Sequence, residues 1–138
     1  MPRSLNHQRV ATAYQRALQR MKKIGFNALR PDEKELVGTL LMHEEIRNGG
    51  FLQWFTNSFG DYAPYAIRFL RRIGASDRLR LITKASAIFP KGRIPATQQQ
   101  RWAFARKWTK AQIESLEPIN DEYYAIKRDL YDDMVELV

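Results

Sequence analysis

The sequence has no cysteine among its 138 residues, which excludes disulfide bonds, thiolate metal ligands and thiol catalysis. No apolar run approaches the roughly 20 residues of a membrane-spanning helix, and the first ten residues lack the apolar stretch of a secretory signal. Neither a glycine-rich phosphate loop nor a GxSxG nucleophile sequence is present. These absences predict a cytoplasmic protein with no membrane contact, no catalytic activity and no cofactor.

Charge is abundant and unevenly distributed along the chain, with a formal net value of +8. Residues 1–31 carry seven Lys or Arg and no acid, and residues 61–113 carry twelve against two acids. Residues 114–138 instead carry eight acids against two bases. Such segregation is typical of proteins that bind a charged partner, and also of proteins whose own helices pair their charges. The sequence leaves both interpretations open.

Apolar residues recur with helical periodicity almost throughout, and no segment alternates as a strand does. The pattern predicts an all-α protein, a single compact domain over residues 1–138 with six or seven helices in an orthogonal or irregular bundle. The predicted helices cover approximately residues 6–23, 31–48, 51–58, 61–73, 76–89, 97–116 and 118–137.

Residue types near the helix boundaries predict how some helices begin and which face turns inward. Asp61, and either Ser76 or Asp77, can cap a helix N-terminus through a side-chain oxygen. The predicted inward stripe of the sixth helix consists of Trp102, Ala105, Ile113 and Leu116, with Phe104 and Trp108 beside it.

A corner rich in glycine and amide residues follows the second helix. Its candidate residues are Glu44, Asn48, Gly49, Gly50, Phe51, Gln53 and Asn57. The two glycines are predicted to end the helix, because glycine enters left-handed backbone conformations without a steric penalty. The amides could bind a ligand through paired donors and acceptors, or they could only satisfy the backbone of a tight turn. Both roles stay open.

His43, Glu44 and Glu45 are residue types that ligate metals, but their spacing is unfavourable. Two ligands on one helix need to be three or four residues apart, and the HExxH pattern has Arg47 where its second histidine belongs. We therefore predict no metal site. Glu44 falls on the apolar stripe of the second helix, so it is predicted to be partly buried and to secure the corner by hydrogen bonds.

Two charged faces are further candidates for binding. A basic face on the fourth to sixth helices could bind nucleic acid through phosphate contacts, and it consists of Arg68, Arg71, Arg72, Arg80, Lys84, Arg106, Lys107 and Lys110. An acidic face on the last helix could meet a partner, and it consists of Glu122, Asp129, Asp132, Asp133 and Glu136.

The stretch "EIRNGGFLQWFTNSFG" at residues 45–60 resembles the Asn-Gly-Gly-Phe-x-Gln-aromatic-aromatic-x-Asn signature of a family of bacterial all-helical domains typified by a DNA-mimic protein. Further matching stretches follow in order at residues 66–75, 84–90 and 116–138, so the resemblance covers about residues 8–138. It implies an α-helical domain that binds another protein. In the characterised case, a dimer presents acidic side chains, spaced like DNA phosphates, to a DNA-binding regulator.

These observations support one leading hypothesis and one alternative. The leading hypothesis is a non-catalytic protein-interaction module with a regulatory role, since a net charge of +8 is contrary to DNA mimicry by the whole surface. The alternative is a nucleic-acid-binding accessory protein that uses the basic face. The sequence leaves open whether the chain forms a homodimer.

Overall fold

The fold consists of α-helices in the computed structural model, which describes residues 4–138 and contains no strand within them. The helices are α1 (Leu5–Ile24), α2 (Pro31–Thr56), α3 (Ala63–Arg72), α4 (Ser76–Ser86), α5 (Gln98–Ala105), α6 (Lys110–Glu114), α7 (Glu117–Tyr124) and α8 (Leu130–Met134). Short 3₁₀ segments occupy Phe26–Ala28, Ser58–Tyr62, Pro90–Gly92 and Val135–Leu137. The predicted all-α class is confirmed, with more and shorter helices in the second half of the chain than predicted.

Helix α2 lies at the centre of the fold, with α1, α3, α5 and α7 packed around it. Every residue from 36 to 42 is buried, so this part of α2 is enclosed on all sides, as expected for a helix without a polar face. Further along the same helix, Phe51, Trp54 and Phe55 are fully buried. Burial of each such side chain stabilises the folded protein by roughly 1.5–3 kcal/mol. The surrounding helices therefore pack against α2.

Helix α1 is amphipathic, with Val10, Tyr14 and Ala17 buried against the core and Lys22 and Lys23 exposed in its last turn. Cations near a helix C-terminus are favoured by the helix dipole. Within residues 4–138, no helix combines the length and the apolar character that crossing a membrane requires.

The predicted side-chain caps of α3 and α4 are wrong. Helix α3 follows Tyr62 and α4 follows Ala75, and neither start has a side-chain cap hydrogen bond. Asp61 lies one residue too early to cap α3. Its carboxylate instead accepts a hydrogen bond from Arg101, at 2.7 Å.

The predicted sixth helix is divided into α5 and α6 by a turn at residues 106–109. Thr109 accepts a hydrogen bond from the N–H of Gln112, and this capping interaction starts a new helix where the sequence pattern predicts continuation. Of the predicted inward stripe, Leu116 is buried, but Trp102 is 40 % exposed and Ile113 is 37 % exposed. The prediction for this stripe is therefore wrong at both of these positions.

The predicted last helix is divided as well. Helix α7 ends at Tyr124, and α8 begins at Leu130 after a short non-helical segment. The side chain of Asp129 caps α8 by accepting a hydrogen bond from the N–H of Tyr131, at 2.9 Å. This local bond favours a new helix start over one continuous helix.

Candidate functional site

Helix α2 consists of two helical segments, which are separated by non-helical backbone at Gly49 and Gly50 in the glycine corner, residues 48–51. The predicted break and the predicted separate helix from residue 51 are therefore confirmed, although this helix ends at Thr56. Gly49 has φ −148° and ψ 16°, and Gly50 has φ 76° and ψ −175°. The conformation of Gly50 lies in a region that essentially only glycine enters. The predicted glycine with positive φ is therefore present at Gly50.

Helix α7 satisfies the backbone at the corner. The side-chain oxygen of Asn120 accepts a hydrogen bond from the N–H of Phe51 at 2.9 Å, and the Tyr124 hydroxyl donates to the carbonyl of Ile46 at 2.8 Å. The partial desolvation predicted for Glu44 is present, but the side chain that acts on its carboxyl is Tyr14 of α1 and not a group of the corner, so the predicted securing role is wrong. Glu44 is an exposed residue near the Tyr14 hydroxyl, and partial desolvation raises the pKa of its carboxyl.

The amide side chains of the corner bond to neighbours on α2. Asn48 donates to the side-chain oxygen of Gln53 at 3.2 Å, and Asn57 donates to the carboxylate of Glu45 at 2.9 Å. These bonds are those expected of amides that support a tight turn. A ligand-binding role for the same amides stays a prediction.

A cleft of about 1110 Å³ opens beside the glycine corner. We name it the α2–α7 cleft, because α2 and the chain from α7 to α8 supply most of its wall. Glu44, Asn48 and Gln53 line it, together with Arg78 of α4. Its volume is comparable to that of pockets that hold small ligands.

His43 and Tyr123 form a hydrogen-bonded pair in the wall of the cleft, with 2.7 Å between the His43 Nδ1 and the Tyr123 hydroxyl oxygen. Burial, and then the positive charges of Arg78 and Arg47, lower the pKa of His43 to about 4. Burial raises the pKa of Tyr123 to about 12. Both side chains are therefore neutral at pH 7.

The lowered pKa of His43 predicts that the folded protein loses stability in mild acid. Between the ordinary value of 6.5 and the folded value of about 4, the unfolded chain binds a proton that the folded chain does not, so stability falls as pH falls through this window. We expect a contribution of about 2 kcal/mol less at pH 5 than at pH 8. Urea denaturation at the two pH values measures it.

The control for this prediction is His43→Gln, which does not titrate and can still bond to Tyr123. The loss of stability between pH 8 and pH 5 should be smaller in this variant by about 2 kcal/mol. The same pH dependence in both proteins would contradict the role assigned to His43.

The residues of the predicted basic face are exposed, but half of them pair with carboxylates of the same chain. The pairs are Arg72–Glu35 at 2.7 Å, Lys84–Glu122 at 2.9 Å, Arg80–Glu122 at 3.9 Å and Lys110–Glu114 at 3.8 Å. Arg68, Arg71, Arg106 and Lys107 have no carboxylate partner within the described part of the chain. The basic face thus offers fewer uncompensated charges than its sequence suggests.

The predicted acidic face is also bonded to groups of the same chain. Glu122 pairs with Lys84, Asp129 with His7 at 2.8 Å, Asp132 accepts from the Ser4 hydroxyl at 3.2 Å, and Asp133 pairs with Arg128. The ligand atoms of His7, Asp129 and Asp132 lie within 4.8 Å of one another, a cluster that the sequence pattern does not single out. Glu136 is exposed.

A second depression, of about 470 Å³, lies between the segment that follows α4, residues 87–91, and residues 104–112 of α5 and α6, and sequence analysis missed it. We name it the aromatic groove; among its lining residues are Ile88, Phe89, Lys91, Phe104, Lys107 and Trp108. Phe89 is buried, with its ring centroid 5.3 Å from that of Trp108 and 6.2 Å from that of Phe104. Phe104 is 38 % exposed, whereas the sequence pattern placed it beside an inward stripe.

Arg101 is a further residue that sequence analysis missed. Its side chain is fully buried and donates to the carbonyl oxygens of Phe55 (2.7 Å), Asn57 (3.0 Å) and Pro95 (3.0 Å) and to the carboxylate of Asp61 (2.7 Å). The guanidinium thereby joins the end of α2, the following 3₁₀ segment and the loop before α5.

No curated protein and no solved structure matches the chain. A family model described as DMP19-like protein matches residues 27–138. The match includes the glycine corner, the aromatic groove, and α7 and α8. It starts later than the resemblance expected from about residue 8. Because it covers well over half of the 138 residues, the chain belongs to the DMP19-like protein family.

Proposed function

We propose that the protein is a non-catalytic protein-binding module whose aromatic groove accepts an apolar and acidic segment of a partner protein. The observation that carries the proposal is the position of the exposed Phe104 ring and the half-buried Trp108 ring next to the exposed Lys91 and Lys107. Membership in the DMP19-like family is consistent with an interaction role.

The chemistry of the groove supports an acidic partner. No acidic residue occurs between Asp77 and Glu114, and Lys91 and Lys107 take part in none of the ion pairs within residues 4–138. Exposed aromatic rings provide large, rigid contact areas at protein interfaces. Uncompensated cations at the rim accelerate the approach of an acidic partner and select against a basic one.

The titratable groups of the α2–α7 cleft favour a non-catalytic role. A general base that works at neutral pH needs a pKa near 7, and the pKa of His43 is lowered to about 4. The His43 imidazole is also hydrogen-bonded to Tyr123. It is therefore a weak base for proton abstraction.

DNA mimicry by the acidic face is not part of this proposal. A DNA mimic presents a regular array of uncompensated negative charges, whereas four of the five predicted carboxylates bond to groups of the same chain. Glu122 in particular pairs with Lys84 across the α4–α7 contact.

Nucleic-acid binding is the second candidate function, and the aromatic groove again supplies the observation in its favour. The exposed ring of Phe104, with Arg106 and Lys107 close to it in the sequence, could stack on an unpaired base while the cations contact phosphates. The internal pairing of Arg72, Arg80 and Lys84 reduces the phosphate-binding surface available to a duplex.

Charge reversal in the groove tests the proposed function. We expect Lys91→Glu/Lys107→Glu to reduce capture of the partner protein from an extract of the source organism by about tenfold or more. The matched control is Lys22→Glu/Lys23→Glu, which makes the same charge change on the exposed end of α1 and should leave capture unchanged. Quantitative affinity capture, with and without nuclease, measures the difference.

Capture that disappears after nuclease treatment would favour the nucleic-acid alternative. Equal loss in both double variants would show that net charge, and not the groove, controls binding. A failure to capture any protein with the wild-type chain would contradict the proposed function.

A further inference from the structure

The α2–α7 cleft contains a buried cation without a carboxylate partner. Arg78 is 4 % exposed, and it takes part in none of the ion pairs within residues 4–138. Its guanidinium lies over the ring of Tyr123, 5.0 Å from the centroid. Buried charges in proteins are normally paired, because removing a charge from water is costly. Arg78 is thus an exception that needs a physical reason.

The guanidinium of Arg78 has donors to spare. Of its five N–H groups, one donates to the carbonyl oxygen of Arg128 at 2.8 Å, and the side chain also lies near the Tyr123 hydroxyl. The buried side-chain atoms without partners in the described residues are the Tyr14 hydroxyl and the Trp54 Nε1, and no nitrogen of Arg78 is among them. Arg78 lines the open cleft, so a ligand in the cleft would meet this side chain.

Two further cations line the same cleft. Arg47 and Lys127 are exposed, and neither belongs to an ion pair in the described part of the chain. Arg47 and Arg78 act on the same imidazole, because the positive charges of both lower the pKa of His43. Both guanidinium groups line the cleft and act on His43 in its wall.

The acids that line the cleft form no ion pair with these three cations in the described part of the chain. Glu45 accepts a hydrogen bond from Asn57, and Asp129 is paired with His7. Glu44 lies near Tyr14 of α1 and forms no ion pair with Arg47 in the described part of the chain. The cleft wall as a whole carries four Arg or Lys against three Asp or Glu, and the negative charge of Asp129 opposes the charges of Arg78 and Arg47 at His43.

We propose that Arg78 and Arg47, with Lys127 beside them, bind the oxyanion of a ligand, a phosphate or carboxylate group. A planar guanidinium binds such groups through two parallel hydrogen bonds. The cleft volume of about 1110 Å³ is much larger than one oxyanion, so the group belongs to a larger molecule. This site is separate from the aromatic groove and does not rest on the proposed function.

Binding of simple anions to the wild-type protein tests the site. The probes are inorganic phosphate, pyrophosphate and citrate, titrated by isothermal calorimetry at low ionic strength. We expect at least one to bind at millimolar concentration or below, and we expect Arg47→Gln to weaken binding about tenfold. The matched control is Arg16→Gln, which removes an exposed cation on α1 and should not change the affinity. Preference for pyrophosphate or for citrate distinguishes a phosphate ligand from a carboxylate ligand.

The pKa of His43 provides a second readout, specific to the site. A bound anion offsets the positive charges of Arg78 and Arg47, so the pKa of His43 should rise from about 4 toward its ordinary value of 6.5. The chain has two histidines, so an NMR titration resolves the His43 imidazole readily. Arg78→Gln should abolish the response, and Arg47→Gln keeps the test informative if the Arg78 variant does not fold. The proposal is overturned if none of the anions binds, or if Arg16→Gln weakens binding as much as Arg47→Gln.

Discussion

Replacing Arg101 with methionine is expected to lower the free energy of unfolding by about 3–5 kcal/mol. The arginine side chain is fully buried and donates to three backbone carbonyls and to the carboxylate of Asp61. Methionine fills similar space but has no donor. The variant would leave buried acceptors unsatisfied, and each such group costs about 1–3 kcal/mol.

Urea denaturation of three variants separates this effect from the loss of a positive charge. Arg101→Lys keeps the charge but has one nitrogen in place of the planar fork, so it should recover only part of the loss. Arg106→Met removes an exposed arginine of the same segment and should stay within about 0.5 kcal/mol of wild type. If the free energy of unfolding of Arg101→Met stays within about 1 kcal/mol of the wild-type value, the four hydrogen bonds of Arg101 do not stabilise the fold.

Arg101 also explains why the inward face of α5 could not be predicted from the sequence. The helical periodicity of apolar residues predicts that Trp102 faces inward. Arg101 precedes it and differs from it in direction by only about 100° around the helix. The preference for Arg101 depends on acceptors at residues 55–61 and at Pro95. Local patterning contains no information on how those segments are placed in space.

The glycine corner could be predicted better than the inward face of α5, because its backbone conformation depends on residues that are adjacent in the sequence. Two consecutive glycines between helical segments indicate a break, and Gly50 adopts the positive φ that this indication implies. Its hydrogen-bond partner was not predictable, since Asn120 is separated from Phe51 by 69 residues. The α2–α7 cleft could not be predicted for the same reason, because Arg78 and Arg47 line one cleft only in the folded chain.

The sequence left two explanations open for the uneven charge distribution, namely binding of a charged partner and pairing between the chain's own helices. The fold supports internal pairing for much of this charge. Glu122 on α7 pairs with Lys84 and Arg80 on α4, which joins the acidic and basic segments across one helix contact. Pairs as exposed as these contribute little stability, about 0–1 kcal/mol each. Their main consequence is to limit the uncompensated cations to smaller areas such as the aromatic groove.

Replacing Gly50 with alanine is expected to lower the free energy of unfolding by about 2–4 kcal/mol. The backbone conformation alone contributes roughly 1–3 kcal/mol of strain for a residue with a side chain. A Cβ atom at this position would also overlap the side chain of Asn120, which accepts the hydrogen bond from Phe51. The new methyl group would therefore displace the contact that connects the corner to α7.

The matched control for Gly50→Ala is Gly25→Ala, and the comparison isolates the Asn120 contact. Gly25 has φ 85° and ψ 158°, the same backbone region, but a Cβ there meets no atom within 4 Å. Gly50→Ala should therefore be the more destabilising by about 1 kcal/mol or more in urea denaturation, and this excess should disappear in an Asn120→Ala background. Equal losses of stability in the two variants would show that the Asn120 side chain moves aside without a cost in free energy. A Gly50 variant of wild-type stability that no longer binds its partner would instead identify the glycine corner as the binding site, because its amides would then have a role beyond supporting the turn.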